Sequence, residues 1–302
     1  MEAIVVHRDG IDLTVRVTGA GTPLLLVHGW PHTGLLWGGV GGLLADRYRV
    51  IAPDLRGVGG STRAACGYDL HTLADDLDAV LAALDVSGAV TVGIDVGVSV
   101  GWMLAARHPN RVRALVVMEG LLGRLPGAEE FLATPPWWFG FHAIDGLAES
   151  VVVGHEERYI GWFLDHGTAR GGVDPNLRAA LVGAYTGVES LRCGFEFYRN
   201  GASTEEQLAA ALSDPGRRDI PTLAIAGGVV GEALHHQLRG FTTDLSTHDA
   251  GHCGHLIPLD DPEGLAATID GFAHDLHIRE TDCGPRRPRP TAQAAVNRSH
   301  RC

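Results

Sequence analysis

The chain has 302 residues, of which 45% are hydrophobic and 20% charged, values that exclude a wholly disordered polypeptide and lead us to expect one or two domains. A fold of this size buries about three quarters of the surface that its unfolded chain exposes, so it needs no disulfide or metal staple. The formal charge of −12 argues against nucleic acid as a partner, because binding phosphates takes a cationic surface.

Cys66, Cys193, Cys253, Cys283 and Cys302 are widely spaced, odd in number and without a C-x-x-C pair, which suggests neither a disulfide framework nor a cysteine zinc site. No apolar run reaches the ~20 residues of a membrane helix. The start, Met1 to Gly10, lacks the basic end and apolar stretch of a signal peptide. The expectation is a soluble protein in a reducing cytoplasm with no membrane partner, and nothing speaks against a homodimer. All 24 basic residues are arginine, which we read as codon bias of a high-GC genome. From Arg279 onward the chain carries +4, so residues 1–278 carry −16.

Taken in chain order, the front third alternates β-rich runs with helix-period stretches, the pattern of strands joined by crossover helices in a largely parallel sheet. Strands are expected at 11–17, 24–27, 49–52, 89–93 and 112–118, and helices at 73–84 and 98–108. From 121 to 214 the strand rhythm stops, with an aromatic-rich stretch at Trp137-Trp138-Phe139 and helices around 159–164 and 177–185. It returns with strands at 222–226 and 241–245 and a closing helix at 262–276. We therefore expect an α/β core over 1–120 and 216–278, interrupted by a helical cap over 121–215. The Pro- and Arg-rich end, 279–302, reads as a disordered tail.

The sharpest chemical feature is Gly93-Ile-Asp95-Val-Gly97 at the end of a strand. A nucleophile on a tight strand-to-helix turn is lifted out of the sheet, the glycines permit the cramped backbone, and the helix start favours negative charge. The usual central residue is serine; aspartate forms an alkyl ester with an electrophilic carbon. Gly97-Val-Ser99-Val-Gly101 spells the serine motif, but Ser99 falls four residues into the expected helix, so Asp95 is the better nucleophile. Upstream, His28-Gly29-Trp30-Pro31 ends a strand, and the backbone N–H groups of Trp30 and Val96 can hold an oxyanion. Asp54-Leu-Arg-Gly57-Val-Gly59-Gly-Ser61 has the look of a phosphate loop but lacks its lysine, so no nucleotide cofactor is expected.

With His28-Gly-Trp-Pro31, Asp54-Leu-Arg-Gly57, Gly93-x-Asp95-x-Gly97, and Cys253-Gly-His255 before Pro262-Glu263, the chain resembles the α/β-hydrolase superfamily from about residue 4 to 276. Within it, the chain is similar to the aspartate-nucleophile branch of epoxide hydrolases and dehalogenases. The resemblance implies a mostly parallel eight-stranded sheet flanked by helices, with a helical cap inserted after the sixth strand. It implies His255 as the base that activates water; His252 and His248 lie nearby, and their spacing to His255 is a weak metal pattern, so no metal is expected.

The acid that orients the base commonly follows the seventh strand, but Ala226-Gly-Gly-Val-Val-Gly-Glu232 has no aspartate at that place. Glu119, after the sixth strand, is the stronger candidate, with Glu232 and Asp249 as alternatives. Tyr198 resembles the cap tyrosine of both groups, with Tyr159 and Tyr185 as other donors. Trp137 and Trp138 fall where the dehalogenases of fluoroacetate carry a histidine and a tryptophan that hold fluoride, so the resemblance implies leaving-group binding by this pair. Val96, rather than tryptophan or arginine, follows the nucleophile, which favours an uncharged, apolar substrate.

The expected function is hydrolysis of a bulky apolar epoxide to a vicinal diol, with the small-molecule substrate as partner. A dehalogenase using the same aspartate, a Ser99 esterase and a non-catalytic ligand-binding protein are the alternatives.

Overall fold

The computed structural model describes residues 1–169, 172–213 and 219–283, with side chains up to residue 276. The strands are β1 (Glu2–Arg8), β2 (Ile11–Thr18), β3 (Thr22–Val27), β4 (Tyr48–Pro53), β5 (Ala89–Ile94), β6 (Val112–Met118), β7 (Thr222–Ala226) and β8 (Leu245–Asp249). They form one sheet in the order β1-β2-β4-β3-β5-β6-β7-β8. The β1–β2 and β2–β4 pairs are antiparallel and all later pairs are parallel.

The central strands are apolar on both faces because helices cover both faces. Along β3, Leu24 and Leu26 enter one buried cluster while Leu25 and Val27 enter the other, the two-residue alternation of a strand between two layers. The core helices α1 (Gly38–Leu44), α2 (Leu70–Ala83) and α3 (Val96–Arg107) follow β3, β4 and β5. Asp69 caps α2, its side chain accepting from the Thr72 N–H.

Between β6 and β7 the chain is helical: α4 (Glu129–Ala133), α5 (Trp137–His142), α6 (Leu147–Val152), α7 (Glu156–Gly167), α8 (Pro175–Ala184), α9 (Val188–Arg199) and α10 (Gly201–Leu212). The last of these differs from its neighbours. Leu208 and Leu212 of α10 are buried in the cluster built by α2 and α3, so this helix packs into the core layer although the sequence groups it with the insertion. After β7 come α11 (Ala233–Arg239), α12 (Ile257–Asp260) and α13 (Pro262–Cys283).

Three boundaries depart from the sequence reading, each for a physical reason. β1 is an edge strand with mostly exposed side chains and shows no clean alternation. β8 runs from Leu245 to Asp249, not over 241–245; it is the opposite edge, largely polar and exposed. The closing helix extends beyond residue 276 to Cys283, so residues 279–283, expected in the tail, are helical, and the rest of the expected tail, 284–302, lies outside the described residues. Cys193 and Cys253 are buried, and no helix among the described residues is long and apolar enough to cross a membrane.

Candidate active site

Asp95 sits between the end of β5 and the first turn of α3, with φ 55° and ψ −123°. That conformation is costly for a residue with a side chain and persists only where its surroundings fix it. Here they do. A side chain on Gly97 would collide with the Val27 carbonyl, and one on Gly120 with the Asp95 carbonyl, so the turn closes only with glycine at both places. The Trp30 N–H donates to Asp95 Oδ1 at 2.9 Å, and the Val96 N–H also donates to this carboxylate. Oδ1 of Asp95 thus rests on the Trp30 amide, and the other oxygen, Oδ2, lies 3.6 Å from His255 Nε2. Burial pushes the Asp95 carboxyl above its ordinary range, opposed by His255 and the two amides.

His255 stands in the loop between β8 and α12. The buried Asp260 carboxylate holds this loop by accepting from the N–H groups of Gly254 and Ala169, at 2.7 and 2.9 Å, which also ties it to the segment after α7. The other ring nitrogen, Nδ1, is 3.3 Å from Glu119 Oε2. Burial alone would lower the His255 pKa, but the hydrogen bond to Glu119 and the charge of Asp95 outweigh it and raise the value.

Glu119 follows β6 in a left-handed conformation, φ 45°, and is fully enclosed. Its carboxylate accepts from the N–H groups of Gly227 at 2.8 Å, Val230 at 3.0 Å and Gly231 at 3.4 Å. A buried carboxylate is tolerated when its lone pairs are all met. The glycine-rich loop after β7, which has no aspartate of its own, supplies the amides that meet them. The alternatives are engaged elsewhere: Glu232 with His235 at 3.0 Å, and Asp249 with the Gly251 N–H at 2.8 Å.

The other serine and histidine candidates also separate. Ser99 Oγ donates to the Leu121 carbonyl at 2.9 Å. His252 pairs with Asp261 at 3.1 Å on the surface, where His252, Cys253 and Asp261 are the one histidine, cysteine and carboxylate cluster of metal-binding spacing among the described residues. His255 takes no part in it.

Opposite Asp95 the cap closes a cavity of about 510 Å³, lined by Asp95, Val96, Tyr198, Phe139, Phe197 and Leu73 among others. Tyr198, near the end of α9, packs edge-on against Trp30 and His142 with ring centroids at 5.7 and 4.5 Å. Trp138 hydrogen-bonds the Tyr198 hydroxyl, while burial and the nearby Asp95 charge push that phenol well above its usual pKa. It is a neutral O–H donor at any ordinary pH.

Trp137 is placed elsewhere. Its side chain is 56% exposed and lines a separate cleft on the cap with Val151, His155, Arg158 and Trp162. Consecutive side chains of α5 point about 100° apart, and Trp138, not Trp137, is the one that reaches the Tyr198 hydroxyl.

Tyr185 is fully buried and donates to the His32 carbonyl at 2.8 Å. The Tyr159 hydroxyl pairs with His142 at 2.7 Å. Neither lines the cavity. Sequence reasoning missed the Trp30 side chain as a packing floor beneath Tyr198. It also missed His142, whose ring stacks on Phe195 at 4.3 Å within this aromatic group.

A family model described as the alpha/beta hydrolase fold matches residues 22–262. The chain belongs to the alpha/beta hydrolase fold family. Within this hydrolase family it is 27% identical to the soluble epoxide hydrolase of Corynebacterium sp. strain C12, over 87% of this chain and 94% of that protein. It is 35% identical to a fluoroacetate dehalogenase of Burkholderia sp. over a shorter stretch, 36% of this chain and 38% of the other. Among solved structures it is similar to Cfl2 from Burkholderia cenocepacia, with a TM-score of 0.81, 26% identity, and 89% and 95% of the two chains covered. In this alpha/beta hydrolase, the loop histidine stands between the two strand-end carboxylates, hydrogen-bonded to Glu119 at 3.3 Å and 3.6 Å from Asp95.

Proposed function

We propose that this hydrolase opens an epoxide to a vicinal diol through an ester on Asp95. The observation that carries the reading is that Asp95 and Tyr198 line one largely apolar cavity, close enough for the Asp95 charge to act on the phenol. An attacking carboxylate and an acid in one such space suit a strained C–O bond. Likeness over most of the chain to a soluble epoxide hydrolase supports it further.

In the first half-reaction Asp95 Oδ2 attacks an oxirane carbon. The C–O bond breaks, its electron pair moves to oxygen, and the Tyr198 O–H gives that oxygen its proton while Trp138 steadies the phenolate. Asp95 Oδ1 becomes the ester carbonyl oxygen and stays in the cradle of the Trp30 and Val96 amides.

Esterification removes the Asp95 charge that helps to hold a proton on His255, so the imidazole sheds that proton to solvent and stands neutral for the step that needs a base. In the second half-reaction water loses a proton to His255 and adds to the ester carbon. The two amides hold the resulting oxyanion, collapse returns the His255 proton to the departing diol oxygen, and the proton left on the Asp95 carboxyl goes back to the Tyr198 phenolate, restoring both groups. Glu119 keeps the imidazole oriented and stabilises its charged form. No cofactor or metal enters this sequence.

A second reading, a dehalogenase, is favoured by the Trp138–Tyr198 pair, whose N–H and O–H could receive halide, and by the partial likeness to the fluoroacetate enzyme. Against it, Val96 follows the nucleophile and offers no charge for a haloacid carboxylate. A side-by-side assay with styrene oxide, fluoroacetate and 1-bromobutane tests the choice. Diol formation that disappears in Asp95→Ala is the expected result; halide release without diol would replace this reading with the second one.

A further inference from the structure

The lining of the cavity is chemically divided in a way that the opening of an epoxide does not by itself require. Beside Asp95 and Tyr198 it carries the apolar side chains of Leu73, Phe131, Phe139 and Phe197. It also carries Arg124, the one cation among the described residues that line it, and Glu205 of α10. Arg124 Nε and Glu205 Oε1 are 3.2 Å apart, and the two side chains are 65% and 44% exposed, which places this pair where the cavity meets solvent. At about 510 Å³ the space falls within the roughly 300–1,000 Å³ of sites that enclose drug-sized ligands, well beyond the needs of a two-carbon substrate.

We propose that the substrate is an amphipathic epoxide whose uncharged polar head rests on the Arg124–Glu205 pair while its apolar body lies against the apolar lining, and that this pair selects against carboxylate heads. The assignment rests on the epoxide reading for the chemistry at Asp95 and Tyr198 only. A guanidinium paired with a carboxylate offers both donors and acceptors, and a hydroxyl or amide head can use both at once. A carboxylate head gains Arg124 but faces Glu205 and a chain carrying −16 over residues 1–278. The preference is modest in size because both side chains are solvated.

The test uses unreactive ligands of equal length, 4-phenylbutanol and 4-phenylbutanoate, titrated by calorimetry at low salt into the wild type, Glu205→Gln and Arg124→Gln. The wild type should bind the alcohol about fivefold more tightly than the carboxylate. Glu205→Gln should move that ratio about fivefold towards the carboxylate, and Arg124→Gln should move it the other way. A ratio that stays within about twofold across the three proteins, or failure of the wild type to bind either ligand, overturns the proposal. Turnover of styrene oxide is followed in parallel. Its absence would remove the epoxide reading and leave the binding ratios to judge the Arg124–Glu205 pair on their own.

Discussion

Glu119 Oε2 lies 3.3 Å from His255 Nδ1, and the same carboxylate accepts backbone N–H groups from the loop after β7. This pairing joins the ends of two strands and sets the direction in which the other ring nitrogen points. It also raises the His255 pKa against the opposing effect of burial. Glu119→Gln keeps the shape but removes the charge, so the His255 pKa should fall. Because the base must be neutral to accept a proton from water, the rising limb of the pH–kcat profile should move to lower pH. Ester hydrolysis at the plateau should slow by about 10²-fold. A pH-rate series on both proteins checks this; an unmoved limb would mean that Glu119 does not act through His255.

Tyr198→Phe removes the acid and leaves the ring packing on Trp30 and Phe139. Formation of the ester should slow by about 10²- to 10³-fold, whereas hydrolysis of an ester already formed should be unaffected. Stopped-flow measurement of the two phases separates them. Equal slowing of both phases would point to a packing defect.

The two adjacent tryptophans should behave differently. Trp138→Phe loses the N–H that meets the Tyr198 hydroxyl and should cut kcat/KM about tenfold. Trp137→Phe, in the outer cleft, should change it less than about twofold. Steady-state kinetics on the pair decide it, and a larger loss from Trp137 would return that residue to the reaction.

Asp95 is held partly out of water in a strained turn, and burial raises its pKa over the unfolded value of 3.8. An acid whose folded-state pKa is raised favours folding at low pH, and this contribution is lost as pH rises from near 3.8 through the folded value. At pH 8 the charged side chain thus costs stability. Asparagine keeps the size and tolerates positive φ, so Asp95→Asn should abolish turnover yet raise stability at pH 8 by about 1 kcal/mol. The gain should be smaller at pH 4. Thermal unfolding at the two pH values measures this, and a lower Tm at pH 8 would contradict it.

Local signals carried much of this molecule. The buried strands β3, β5 and β6 announced themselves as apolar runs, and Asp95 stood out because glycines flank it at a strand end. Glu119 was legible for a different reason: a carboxylate at the end of an apolar strand needs partners. What the sequence could not show depends on side chains that meet across long separations. The amides of Gly227, Val230 and Gly231 that satisfy Glu119 lie more than a hundred residues away. The direction of Trp137 against Trp138 depends on the rotation of a six-residue helix. Edge strands β1 and β8 face water on much of their surface, and the alternation that betrays a strand fades there.

The central claim is that Asp95 bonds covalently to the substrate carbon. A single turnover of excess enzyme with styrene oxide in ¹⁸O-labelled water, followed by mass spectrometry of the diol and of the Asp95 peptide, tests it most directly. The account predicts an unlabelled first diol and ¹⁸O in the Asp95 carboxylate. Label in the first diol with none in Asp95 would mean direct attack by water and would contradict the ester mechanism.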